Sequence, residues 1–351
     1  MTSVEVSRPR KRLIRSFNAG RDVDLFLAAG ASTVLIIRLL LRLADYPQVG
    51  GATLHIAHLL WGGLLITVAL LLLLSYTGPG IHQWCAVIGG VGFGLFIDEI
   101  GKFITRDNDY FYRPAVALIY AAFVLLYVVM RTLRRQHITS EEYLVNALNE
   151  VENVAINDLD VAERVRALDY LKRSGADTPL VRALSDVLTG ASVLPEAPPH
   201  RLSLMRVTLV RAYRKIVTRP EFPRLLIIFF VAQLALRVIY VLTVVFVPSW
   251  SAIVARGVPS IEHRLHGFGY LDWLQLGSTA VGGLFVALGV LQVRRSRRNA
   301  FRMFQRSVLI SIFLVQTFVF YQSQWAALPV LVFNLLLLIT LNFAINQENT
   351  V

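Results

Sequence analysis

Eight apolar runs, at residues 25–43, 54–76, 84–104, 115–129, 225–247, 270–293, 308–321 and 326–343, constrain this chain more than any other feature. A helix needs about 20 apolar residues to cross a ~30 Å hydrocarbon core. In lipid the backbone must satisfy its own polar groups, and a helix does so within one segment. The expected fold class is therefore all-α: a polytopic integral membrane protein of about eight transmembrane helices. A soluble chain of 351 residues, here 55% hydrophobic, has no need of so many such runs. The run at 308–321 is short unless its helix extends back past Phe301.

The formal charge of +12 raises the question of nucleic acid. The basic residues lie beside the apolar runs, where the positive-inside bias puts them, so no nucleic-acid partner is expected. The lysines are Lys11, Lys102, Lys172 and Lys215, and the remaining basic charge is Arg. With abundant Ala and Val, this points to a GC-rich bacterial genome. The start, with basic residues from Arg8 to Arg15, lacks the short apolar core and small-residue cleavage site of a secretory signal. Cys85 is the sole cysteine, which excludes an intramolecular disulfide and a cysteine metal cluster.

These patterns divide the chain into a basic arm at 1–22, a first four-helix membrane half at 23–135, a helical insert at 136–220, a second four-helix half at 221–346 and a tail at 347–351. Basic flanks put the arm, the insert and both termini on the cytoplasmic side of a bacterial plasma membrane. Within the insert, Thr139-Ser140-Glu141-Glu142 and Asp160-Val161-Ala162-Glu163 read as capping boxes. Thr178-Pro179 reads as an N-cap followed by Pro in the first turn. Pro195, Pro198 and Pro199 form a linker, and residues 201–219 alternate apolar and basic residues as an amphipathic helix on anionic lipid would. The insert carries no catalytic pattern and is expected to dock a protein partner or serve assembly, including a homo-oligomer.

Ionisable residues inside a span are expensive and mark function by default. Here they converge. Arg38 falls in the outer third of the first span, His55 and His58 in the first turns of the second, and Asp98, Glu99 and Lys102 in the last turns of the third. With spans alternating in direction, all lie at one depth in the outer leaflet, and the loop holding Arg106, Asp107 and Asp109 closes over them. Gly90 and Gly94, four apart, would let another helix approach closely. The surrounding Gly90-Val91-Gly92-Phe93-Gly94 follows no strand, so it is not a nucleotide loop. Three readings stand: a salt-bridge cluster that fixes packing, a binding or catalytic pocket, and an ion or proton path. In a catalytic pocket Asp98 or Glu99 serves as acid/base with His58 assisting, while Arg38 and Lys102 neutralise an anionic group such as phosphate. His55, Arg106, Asp107 and Asp109 complete the ligand-binding set. His55, His58 and a carboxylate have the chemistry of a divalent-cation set, but the adjacent Lys102 argues against a cation, and no metal or cofactor is assigned. The apolar inner halves of the second and third spans favour a one-sided pocket over a through-path. Arg237, within the fifth span, is expected to pair with a helix-interior carboxylate or carbonyl, such as near Asp272; in a through-path it would join Arg38, Asp98 and Glu99.

The order His58, Gly62, Asp98-Glu99, Lys102, Arg106 and Asp109 resembles the VanZ-like group of bacterial membrane proteins over residues 54–130. Lys102 stands where that group usually has Gln. The resemblance implies a cell-envelope setting, without specifying a reaction or whether the protein is an enzyme; the pocket is expected to bind or process an amphiphilic or cell-wall-related ligand.

Overall fold

A computed structural model describes residues 13–43, 58–106, 109, 112, 114–134, 138–194, 208, 211, 213, 215, 217–219, 221–254 and 270–348; the side chains of 79, 133, 134, 237, 240–254 and 272 fall outside that description. His55, Asp107, most of the amphipathic segment at 201–219, and the side chains of Arg237 and Asp272 therefore lie outside the described residues. The described residues are helical, with one isolated parallel bridge, Asp160 to Leu194. Among them, six helices are long and apolar enough to cross a membrane: Ala19–Leu43, His58–Ser75, Gly80–Asp98, Pro114–Thr132, Trp273–Gln292 and the composite Arg297–Gln347.

The chain divides into two compact units, Met1–Tyr110 with Ala122–Pro198, and Phe111–Ala121 with Pro199–Val351. The first contains α1 (Ala19–Leu43), α2 (His58–Ser75), α3 (Pro79–Asp98) and the short α4 (Ile100–Ile104). The helix α5 (Pro114–Arg134) is divided between the units. The insert follows as α6 (Ser140–Ala155), α7 (Val161–Ser174) and α8 (Pro179–Gly190). Each of these three starts where its side chains cap it. Thr139 Oγ1 accepts from Glu142 N at 3.3 Å, and Glu142 Oε2 accepts from Thr139 N at 3.0 Å. Asp160 and Glu163 repeat the exchange at 2.6 and 3.1 Å. Thr178 Oγ1 accepts from Val181 N at 3.4 Å, with Pro179 in the first turn. Gly175 ends α7 in the left-handed region at φ 64°, where a Cβ is strained. Ala147, Leu159, Ala167, Leu171, Leu184 and Leu188 form the insert's own core.

The second unit contains α9 (Phe222–Val254), α10 (Tyr270–Gln292), α11 (Arg297–Ile310), a π-helical turn Ser311–Val315, α12 (Gln316–Ser323), a 3₁₀ turn Gln324–Ala327 and α13 (Leu328–Gln347). The helix preceding the π turn begins at Arg297, so it extends back past Phe301. Its partner α13 packs on it, and Phe230, Val286, Phe301, Phe304 and Leu341 are fully buried between α9, α10, α11 and α13. A π turn disturbs the regular carbonyl ladder; here Tyr120 Oη donates to Ile312 O at 2.5 Å, and the buried Gln316 Nε2 donates to Ala327 O at 2.9 Å.

Candidate functional site

The site is set by α3, which packs against both α1 and α2. Successive helical residues turn about 100°, so Gly90 and Gly94 share one face and Gly92 points away from it. A Cβ at Gly94 would sit 2.5 Å from Gly30 O of α1, and one at Gly90 would clash with Phe26 O. On the other face, a Cβ at Gly92 would sit 2.7 Å from Gly62 O of α2, and one at Gly62 would sit 2.6 Å from Gly92 O. The three backbones therefore nearly touch. One turn beyond Gly94 is Asp98, facing α1; one turn before Gly62 is His58, facing α3. The glycines bring these two charged positions within reach.

Arg38, on the last turns of α1, donates through Nε to Asp98 Oδ1 at 2.6 Å and through Nη2 to Asp98 O at 2.9 Å. The second contact satisfies a carbonyl at the end of α3, one of the groups a helix terminus leaves open. His58 lies between the carboxylates, with Nε2 at 3.2 Å from Asp98 Oδ2 and Nδ1 at 2.9 Å from Glu99 Oε1. Lys102 Nζ donates to Glu99 Oε1 at 3.3 Å. Glu99 sits at the break between α3 and α4 (φ −87°, ψ 7°). Both carboxylates are fully buried, whereas Arg38, His58 and Lys102 retain 12%, 23% and 21% side-chain exposure. Glu99 Oε2 is buried without a hydrogen-bond partner among the described residues.

A neutral imidazole donates from one nitrogen only. With an acceptor facing each nitrogen of His58, satisfying both contacts takes a second proton, held on the ring or on a carboxyl. The basic side chains keep some exposure while both carboxylates are fully buried behind them.

Five of the sequence candidates thus meet: Arg38, His58, Asp98, Glu99 and Lys102. Arg106 and Asp109 are exposed on the segment leaving α4, where Asp109 N donates to Thr105 Oγ1 at 2.8 Å, outside the cluster's described ion pairs. Among the described residues, no group of three His, Cys, Asp or Glu side chains is arranged to hold a metal ion.

A second polar arrangement lies at the insert. Glu142, Asn146, Glu150 and Asn153 form a buried polar stripe along α6, and the basic arm docks on its first part. Arg15 meets Glu142 with two contacts of 2.7 Å, Nε to Oε1 and Nη2 to Oε2. The Arg15 guanidinium holds the Glu142 carboxyl down at about 2, against the burial that opposes it. Glu150 is pushed up by burial, with Arg166 opposing. The sequence reading assigned Glu142 to a cap and Arg15 to the basic arm at 1–22 with no partner named, so it missed this pair. The only signal was the spacing of Glu142, Asn146 and Glu150 on one helical face.

Comparison with protein-family models, with curated proteins and with solved structures finds no match to this chain.

Proposed function

We propose that this is an integral membrane protein whose five-residue cluster binds the anionic headgroup of an amphiphilic ligand. The observation that carries the reading is the layering of the cluster: three partly exposed basic side chains from three separate segments stand in front of two fully buried acidic ones. A packing role needs one compensated pair; the gathering of five ionisable side chains from three segments favours a ligand. Six apolar, membrane-length helices support membrane insertion. In our reading the composite Arg297–Gln347 crosses twice and α9 once, giving eight passes, with the insert and both termini cytoplasmic. The cluster then opens toward the outer leaflet of a bacterial plasma membrane, where an apolar tail lies in lipid while its headgroup meets Arg38, His58 and Lys102. The VanZ-like order of His58, Gly62, Asp98-Glu99 and Lys102 favours an envelope-related amphiphile. If the ligand is processed, Asp98 or Glu99 with His58 supplies acid/base chemistry.

The test is mass spectrometry of lipids retained by the detergent-purified protein. The expected result is enrichment of a phosphate-bearing amphiphile in wild type and its loss in Lys102→Ala, measured well below the lowered melting temperature that removing a partner of the buried Glu99 brings, while Arg106→Ala retains it. Equal lipid profiles in wild type and Lys102→Ala would refute the reading. His58 between two carboxylates also suits a proton path; proton flux in liposomes that Asp98→Asn abolishes would favour that alternative.

A further inference from the structure

The insert's contact with the arm has the form of peptide recognition. Residues 13–16 have no regular secondary structure; Leu13, Ile14 and Ser16 are exposed, and Arg15 and Phe17 are half-buried. Three devices read this segment. Glu142 takes the Arg15 guanidinium through both oxygens, at 2.7 Å each; such forked pairs carry geometric specificity as well as charge. The Asn146 side chain grips the backbone twice, Oδ1 accepting from Phe17 N at 2.8 Å and Nδ2 donating to Arg15 O at 2.8 Å. Phe17 enters an aromatic slot, edge-on to Tyr143 (5.2 Å, 78°) and to Tyr170 (5.0 Å, 82°). Backbone clasp, charge fork and ring slot together select Arg, any residue, then an aromatic.

The groove is also prepared in advance. Glu142 is fixed by its capping exchange with Thr139, and Asn146 Nδ2 donates to Glu142 O at 2.8 Å. With the arm in place Glu142 and Asn146 are buried, and the arm supplies their partners from 127 to 131 residues away. Any occupant must bring a cation, a free backbone amide and carbonyl, and an aromatic ring.

We propose that the helical insert is a peptide-recognition module for Arg-x-aromatic segments, held occupied by the chain's own Arg15-Ser16-Phe17, and that a partner protein presenting such a segment exchanges with the arm. Tethering gives the arm a high effective concentration, so a free peptide competes poorly until the arm is displaced. The inference is independent of the proposed headgroup site.

The test uses the full chain in detergent and a fluorescein-labelled peptide with the sequence of residues 10–20. The Arg15→Ala/Phe17→Ala variant, its groove vacated, should bind the peptide with a Kd of roughly 10–100 µM by fluorescence anisotropy. Wild type should bind at least about tenfold more weakly, and adding Asn146→Ala to the vacated variant should cost a similar factor. Equal binding by wild type and the vacated variant, or equal binding of a scrambled peptide, would overturn the proposal. A concentration-dependent wild-type dimer that Phe17→Ala dissolves would overturn it too, by making a second copy's arm the occupant. An independent readout needs no vacated groove: Phe17→p-benzoylphenylalanine in the full chain should photo-crosslink to Tyr143 or Tyr170, and competing unlabelled peptide should lower the yield. No crosslink to α6 or α7 would refute the docking itself.

Discussion

Gly92→Ala offers a direct test of how the glycines build the site. Its Cβ would meet Gly62 O at 2.7 Å, Ile66 N at 2.9 Å and Leu65 Cβ at 2.9 Å. Two of these are backbone atoms in a helix, so no side chain can swing aside. Restoring ordinary contact requires α2 and α3 to part by about 0.5–0.7 Å. Overpacking of this kind costs roughly 1–3 kcal/mol, a fall in melting midpoint of about 2–10 °C. The separation also reaches the cluster, six residues or about 9 Å along α3. His58 Nδ1 and Nε2 lie at 2.9 and 3.2 Å from Glu99 and Asp98, and the same displacement takes the first to the limit of hydrogen bonding at about 3.5 Å and the second beyond it. Gly63→Ala is the matched control, because a Cβ there meets nothing within 4 Å. It should leave the midpoint unchanged or raise it slightly, since Ala is about 0.5–1 kcal/mol better than Gly inside a helix. The assay is built into the chain: Cys85, its sole cysteine, is buried within α3, so a thiol-reactive dye reports the opening of that helix on heating. If Gly92→Ala melts with Gly63→Ala, backbone contact between α2 and α3 does not hold the site together.

Two further outcomes follow from the charges. The Glu142 carboxyl sits at about 2 against an ordinary 4.5, so what it contributes to arm docking is fully present above about pH 4.5 and is lost as pH falls toward 2. Peptic cleavage beside Phe17, normalised to a free peptide of the same sequence, should rise across that window, and a flat ratio would contradict it. Asp98→Ala strips Arg38 and His58 of a fully buried partner and should cost about 3–5 kcal/mol in the thiol-dye melt. Arg106→Ala, at an exposed position outside the described ion pairs, should stay within about 0.5 kcal/mol; similar losses in both variants would mean that the cluster is not a unit.

The helical character was legible because lipid-length apolar runs leave few alternatives, and the starts of α6, α7 and α8 because their capping residues act on the adjacent backbone. The meeting of His58, Asp98, Glu99 and Lys102 was legible from depth alone, since alternating helices return their ends to one level. What depth did not give was the pairing. That depends on helix rotation, which the glycines of α3 set through contacts with Gly30 and Gly62. The π turn at Ser311–Val315 had no sequence marker: no Pro or Gly interrupts it, and its stabilising hydroxyl comes from Tyr120, far away in the chain. The arm's docking was hidden for a related reason. A polar stripe on α6 reads as a solvated face until a distant segment is seen to cover it.

The alternating glycines of α3 also limit how this segment can vary in length. Gly94 and Asp98 are spaced so that one turn carries a backbone contact with α1 directly to the Arg38 pair. Inserting or deleting one residue between them would rotate both carboxylates by about 100°, removing Asp98 from Arg38 even if every residue type were retained. Substitutions between Gly94 and Asp98 change the fit of side chains; a change in spacing dismantles the site. In any set of related chains, this segment should therefore vary in composition while holding its count of residues.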